Sequence, residues 1–493
     1  MVFNARSIAR IVFGWAPEDN VAARETAWLD GVRGVAAFLV MINHYSMEWL
    51  SPLADAPFGA MMTTDWNPDG VWYHRAGEHL WAPWRLPILR LLMVSGGAQV
   101  SVFFVLSGMV LSWSPLGSVL SGNYEKLYTS LGSSTIRRWF RLFLPCAIVS
   151  LAYWVQRIVN DYQGIVPTLW SFLDYLSVTE QWANPFETAH VTQFSTNHGF
   201  NFVMWTIPFE FGGSIFVYVS LLGLGRVQSF RRRAIAIGLV SAYAFWKLQW
   251  AYWMFGTGII ISDYVRSSGG FRKLTQKTST RAAWMWSLVL ILGLILMGYV
   301  GPSERYSTPG YEWTAVVPLP GGFRFLIGEQ RFWWGCGGIL VILSSSHLSL
   351  VRKFFELAFI QYLGKISFML YLIHFLINVV VAQPIRHAFY KAVCVLEFDE
   401  AYDGDVFRTT AITNVGIHIM LWLICIPLVM IISHILETFV DRPCTAFGKW
   451  LDDKLVHGTR KPVKPVDEEQ EQLLESDMSG LELGSMPQRS RDG

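Results

Sequence analysis

An arginine and a histidine stand inside the first long apolar segment of this chain, residues 29–45 (LDGVRGVAAFLVMINHY). Arg33 and His44 are eleven positions apart. On a helix that is about three turns, so both side chains face one way, roughly 16 Å apart along the axis. Ionisable groups are costly inside a bilayer and are rare there unless they line a site or a pathway. An imidazole has the chemistry to take a proton from a hydroxyl near neutral pH. The competing account of His44 is a strut hydrogen-bonded to a neighbouring helix. The competing account of Arg33 is neutralisation by Asp30, one turn earlier.

Other segments hold residues of the same kind. In 99–108, the small residues Ser101, Ser107 and Gly108 permit close helix approach, which is packing before it is catalysis. Arg137, Arg138 and Arg141 precede an apolar run. Guanidinium groups match phosphate through paired hydrogen bonds, but the same cluster also serves as a topology signal that touches anionic lipid heads. In 201–212, Pro208 should interrupt a helix and free a carbonyl. Glu210 beside it is an intramembrane carboxylate and needs a partner, either an arginine of another helix or His44, which it would orient. His374 closes the segment 363–374 as a second buried imidazole, expected to support structure rather than catalysis.

The elements that hold these groups follow from composition. Of 493 residues, 52% are hydrophobic and 15% charged, against about 25% charged in soluble domains. The deficit falls in long apolar runs, so the fold class is all-α, a polytopic integral membrane bundle. The runs predict ten spanning helices at roughly 29–48, 91–113, 139–156, 202–224, 234–247, 249–265, 284–300, 326–346, 360–382 and 411–436. Arg226, Arg231, Arg232 and Arg233 precede the short pair 234–265, and Arg266, Arg272, Lys273, Lys277 and Arg281 follow it. Only an even number of crossings puts both clusters on one face. The positive-inside rule then makes both termini cytosolic, in an endomembrane or the plasma membrane. The opposite loops, 49–90 and 157–201, are more acidic and dense in Trp, Tyr and His. They either lie on the bilayer surface or cover an acceptor site.

Three regions result: a cytosolic segment 1–28, a transmembrane domain 29–445 and a polar cytosolic tail 446–493. The first lacks the pattern of a cleavable signal peptide, and Ser7 to Trp15 suits a short interfacial helix. The tail has no apolar periodicity and is expected to be disordered. Its Glu469 and Leu473-Leu474 resemble an acidic dileucine sorting signal. A net charge of +2 with no basic, aromatic-interleaved run argues against nucleic acid. The five scattered cysteines contain no CxxC, which argues against a disulfide framework or a metal site. There is no G-x-x-x-x-G-K-[ST] and no G-x-S-x-G, which argues against a P-loop transporter and an α/β-hydrolase.

Taken in order, these segments resemble the membrane-bound acyltransferase-3 family. Asp30 to Gly34 with His44 match its LDGLRG…H signature, and Val100 to Gly108 match its VxxFFxxSG stretch. Arg137 to Pro145 match a basic RRxxRL run ending in proline, Trp205 to Glu210 a WxxxxE stretch, and Leu363 to His374 a late LGKIS…LYLxH stretch. Glu437 to Pro443 match the closing segment. The Pro-Phe-Glu-Phe-Gly-Gly version around Glu210 looks like the filamentous-fungal branch, whose members often modify secondary metabolites or lipids. The resemblance implies acyl transfer from a coenzyme A thioester to a hydroxyl of a lipid, sugar or metabolite, with no bound cofactor. It implies His44 as catalytic base and Arg33 as a donor-side or oxyanion partner. It favours Arg137, Arg138 and Arg141 as the donor phosphate site. Asp30, Ser101, Glu210 and His374 are expected as supporting residues around the site.

Two other classes compete with this expectation. A transporter or flippase would use buried charges along a translocation path, but should show matched broken helices, and only Pro208 marks one. A sensor or scaffold would be indifferent to acyl-CoA.

Overall fold

A computed structural model describes residues 24–50, 83–160, 201–302, 310–324, 327–399 and 404–457, with residues 58, 59, 71, 72, 81 and 308 between them. The expectations for 1–23, for most of the loops 49–90 and 157–201, and for the tail past 457 fall outside the described residues.

A helix stands at each of the ten expected positions. They are α1 (Ala27–Trp49), α2 (Gly96–Leu120), α3 (Tyr124–Asn160), α4 (Ile207–Leu224), α5 (Phe230–Trp246), α6 (Trp250–Ser267), α8 (Thr280–Met297), α9 (Gly328–His347), α11 (Ala358–Ile377) and α13 (Ala411–Leu436). Shorter helices α7 (Phe271–Lys277), α10 (Ser349–Phe355), α12 (Gln383–Val393) and α14 (Arg442–His457) lie between or after them. Among the described residues six helices are long and apolar enough to cross a membrane, or seven if the α9–α10 pair, bent by 105°, is one broken span. The chain is a multi-pass helical membrane protein, and the figure of ten crossings goes beyond these criteria. α5 shows why: its 17 residues span about 26 Å, short of a hydrocarbon core of about 30 Å.

Three expectations are corrected. The third helix starts at Tyr124 rather than near 139 and has 37 residues. Its arginines therefore lie well inside a helix rather than at its start. The early turns hold because Leu127 and Leu131 carry a buried face upstream of the arginines. Pro208 does not break a helix. A 3₁₀ turn, Phe202–Thr206, leads into α4, and Pro208 lies in the first turn of α4, where its missing N–H would have had no partner anyway. The fold is also not wholly helical. Strands β1 (Val71–Trp72), β2 (Val395–Asp399) and β3 (Gly404–Arg408) form a small sheet in the order β1-β3-β2, with β2 antiparallel and β1 parallel to β3. The 395–399 run alternates Val, Leu, Glu, Phe, Asp, a strand period too short to compete with the long apolar runs around it.

The chain divides into two compact units, Met1–Gly448 and Lys449–Gly493. In the first, the described apolar side chains gather mainly in two bodies. One forms around α1, α3, α11 and α13, the other around α2, α4, α6 and α9. Lipid is as apolar as a helix surface, so close packing rather than hydrophobicity drives helix pairing in a bilayer. Glycines make that packing possible at two crossings. In α1, a Cβ on Gly34 would stand 2.2 Å from the backbone nitrogen of Gly364 in α11. In α2, one on Gly108 would stand 2.2 Å from the Phe255 carbonyl oxygen of α6. Between α5 and α6, Arg233 is not merely part of a surface charge cluster. It is 1% exposed and donates to both carboxylate oxygens of buried Asp263, at 2.7 and 2.6 Å. Both charges are satisfied where burial would otherwise be costly.

Candidate active site

The contacts between α1 and α11 advance in the same direction along both helices. Arg33 meets Gly364 and Ser367, His44 meets His374, and Trp49 meets Asn378. The two helices therefore run parallel, and the face of α1 that holds Arg33 and His44 is the face laid on α11. Arg33 donates from Nε to the Ser367 hydroxyl and from Nη2 to the Gly364 carbonyl, each at 3.0 Å. Nη2 also lies 3.1 Å from the Asp30 carboxylate. Asp30 does neutralise Arg33, as one of the two accounts required, yet Arg33 still reaches a cavity.

That cavity has a volume of about 340 Å³. Its charged lining comprises Arg33, Arg138, Arg141 and Lys365 against Glu210, Glu437 and Asp441. Its apolar lining includes Val100, Phe103, Phe104, Leu142, Ile207 and Phe368. The carboxylates are mostly engaged. Ser107 donates to Glu210 at 2.9 and 3.1 Å, and Arg138 donates to Glu210 at 3.1 Å and to Ser214 at 2.8 Å. Arg442 donates to Glu437 at 2.7 Å. Glu437 and Asp441 sit at the two ends of one π-helical turn at the end of α13, a distortion often found at functional sites. Arg141 and Lys365 line the cavity with no hydrogen bond or ion pair to another described residue.

The two histidines stand beyond this cavity. Its inner wall includes Thr206 and Tyr371, whose hydroxyls share a hydrogen bond of 2.8 Å. Tyr371 also donates to the Val203 carbonyl. One turn further along α11, His374 is fully buried, and its Nε2 lies 2.8 Å from Nδ1 of half-buried His44. Tyr45 donates to the His374 carbonyl at 2.9 Å and holds the register of the two helices there.

The structure thus brings Asp30 and Arg33 together, His44 and His374 together, and Arg138 and Glu210 together. It places Arg141 on the cavity but not Arg137, whose Nε turns back to the Ser133 carbonyl at 3.3 Å. Ser101 is buried and donates to the Gly97 carbonyl of its own helix at 3.3 Å, away from these groups. Glu210 takes the arginine of another helix, not His44. Lys365, Ser367, Tyr371 and Asp441 were not singled out in the sequence. Lys365 and Ser367 had a readable signal, since they are polar residues within an apolar helical run.

The sequence profile of the acyltransferase-3 family, described as an acyltransferase domain, matches residues 26–438. The chain belongs to this family. As an acyltransferase-3 protein it is an enzyme that transfers acyl groups, which sets the transporter alternative aside. Similar proteins come from fungi. O-acetyltransferase PaAT-1 of Phomopsis amygdali is 26% identical over 94% of this chain and 91% of its own length. Acyltransferase clz18 of Cochliobolus lunatus is 25% identical over 71% of this chain and 82% of its own. Acyltransferase R4 of a Phoma species is 23% identical over the same shares. No solved structure matches the chain.

Proposed function

We propose that this enzyme is an O-acyltransferase that moves an acyl group from a coenzyme A thioester to a hydroxyl of a lipid, sugar or secondary metabolite. The observation that carries the reading is the cavity. Arg141 and Lys365 face it without a direct hydrogen bond or salt bridge to another described residue, apolar side chains line its wall, and Tyr371 on its lining stands one turn from the paired imidazoles. A donor with a phosphate head and a long arm suits that division, its head on the cations and its thioester reaching past Tyr371 to His44. His44 takes the acceptor proton, the acceptor oxygen forms a bond to the acyl carbon, and the C–S bond breaks. The thiolate leaves with its electron pair and recovers the proton. Arg33 stands on the donor side. The name of PaAT-1 favours acetyl as the group moved.

Labelled acetyl-CoA with purified enzyme tests the reading, an organic extract of cells lacking the protein supplying the acceptor. The expected product is an extract component heavier by one acetyl group, formed together with free thiol. No label transfer by folded enzyme would sink it.

The donor head gives a sharper prediction. Losing a hydrogen bond to a charged group costs about 1.5–3 kcal/mol, and partial solvent access to the cavity pulls this toward the lower end. Arg141→Gln and Lys365→Gln should each raise the donor KM about tenfold, whereas Arg137→Gln should leave it within about twofold. The reverse pattern would return Arg137 to the donor site and remove Arg141.

Orientation follows from the positive-inside rule. Residues 126–138, 226–233, 266–281 and the tail from 449 should face the cytosol, the compartment that supplies acyl-CoA. A cysteine introduced as Ser229→Cys should react with an impermeant reagent only from the cytosolic side. Labelling from the opposite side would invert the assignment.

A further inference from the structure

The His44–His374 contact sets which nitrogen of His44 is basic. The two ring planes are 5° apart with centroids separated by 5.0 Å. That separation equals the 2.8 Å nitrogen–nitrogen distance plus the two ring radii. The rings are therefore coplanar and meet edge to edge, the geometry in which an N–H points straight at a lone pair. The direction of the bond comes from the far side of His374, where Nδ1 lies 3.1 Å from the Leu370 carbonyl oxygen. A carbonyl only accepts, so His374 Nδ1 bears the hydrogen. A neutral ring then has Nε2 as its acceptor, and neutrality is what full burial favours. His44 must donate from Nδ1, and its lone pair is left on Nε2.

We propose that His374 is the positioning residue of the reaction. It fixes the tautomer and ring plane of His44 so that Nε2 is the base. When the acceptor hydroxyl gives its proton to Nε2, His44 becomes an imidazolium. Its Nδ1–H···Nε2 bond to His374 is then charge-assisted and stronger. No proton needs to pass to His374. A buried carboxylate plays this part in Ser-His-Asp triads, where the wrong tautomer alone costs about 10⁴-fold in rate. A neutral imidazole does it here without a second buried charge, which a membrane interior disfavours. The inference rests on His44 being the base, and it assigns a partner and an atom to that role.

The test uses purified full-length enzyme with acetyl-CoA and the same cell extract, together with nitrogen-15 NMR of labelled histidines, His44 being assigned by its loss in His44→Gln. In the wild type, His44 Nδ1 should show the protonated, pyrrole-type shift and Nε2 the pyridine-type shift. His374→Leu should mix the two tautomers and lower kcat by about 10²-fold or more, with the donor KM within about twofold. His374→Gln places an amide oxygen near the lost Nε2. It should keep the wild-type tautomer and recover kcat to within about tenfold. If His374→Leu does not fold, His374→Asn gives the same reading, because its amide is too short to reach His44. A protonated Nε2 in the wild type overturns the proposal. So does a His374→Leu or His374→Asn enzyme with wild-type kcat, or a folded His374→Gln as slow as either. The His374 variants leave the base assignment itself untouched, which stands or falls on His44→Gln, a variant that keeps His374 in place.

Discussion

His44→Gln and His44→Ala should transfer acyl groups about 10²–10⁴-fold more slowly than the wild type, the range that a general base contributes. Both should still fold and still bind donor. The cavity that holds Arg141 and Lys365 does not include His44 among its lining residues, so loss of the imidazole should fall on kcat and leave the donor KM close to its original value. The glutamine variant is the more informative of the two. It keeps a hydrogen-bonding group opposite His374 but cannot accept a proton at neutral pH. A purely structural His44 predicts that Gln preserves turnover. Label transfer from acetyl-CoA by His44→Gln at the wild-type rate would remove His44 as the base and leave Glu210 as the nearer candidate on the cavity wall.

Gly34→Ala is expected to be strongly damaging for so small a change. The added carbon would stand 2.2 Å from the backbone nitrogen of Gly364 and 2.5 Å from the Leu363 carbonyl carbon. Neither atom belongs to a flexible side chain, so α1 and α11 must move apart. Overpacking of this kind costs about 1–3 kcal/mol and sometimes more. In a bilayer, where close packing is itself the attraction between helices, little offsets it. The same separation would stretch the Arg33–Ser367 and His44–His374 hydrogen bonds together, so activity should fall alongside stability. Gly238→Ala is the control. It lies within α5, its added carbon would meet nothing within 4 Å, and replacing a helical glycine should be neutral or stabilising by up to about 1 kcal/mol. Thermal unfolding in detergent measures both. Equal midpoints for Gly34→Ala and Gly238→Ala would show that the α1–α11 contact is looser than its geometry.

The places of the helices were legible in the sequence because a membrane span is a local property. A run of apolar residues of sufficient length has few alternatives in a bilayer, and α13 runs from 411 to 436 as its run predicts. The shared face of Arg33 and His44 was legible for the same reason, since helical periodicity alone fixes it. Helix phase does not separate the three arginines. Arg141 stands three residues from Arg138 and four from Arg137, both neighbour spacings on a helix surface, and only the structure shows Arg138 and Arg141 on the cavity with Arg137 turned back to the Ser133 carbonyl. The need of Glu210 for a partner could be read from its type, but the choice of Arg138 over His44 could not. Nor could the contact of His374 with His44, 330 positions away. No period or propensity links residues so far apart. Their pairing depends on which helices pack side by side, and in a bilayer that is decided by close contacts such as Gly34 on Gly364, where a single added carbon would hold the backbones apart. The sequence by itself determined the spans and the residue types able to do chemistry. The tertiary structure alone decided which nitrogen meets which, because the hydrogen bonds that join the site cross between helices whose order along the chain says nothing about their neighbours.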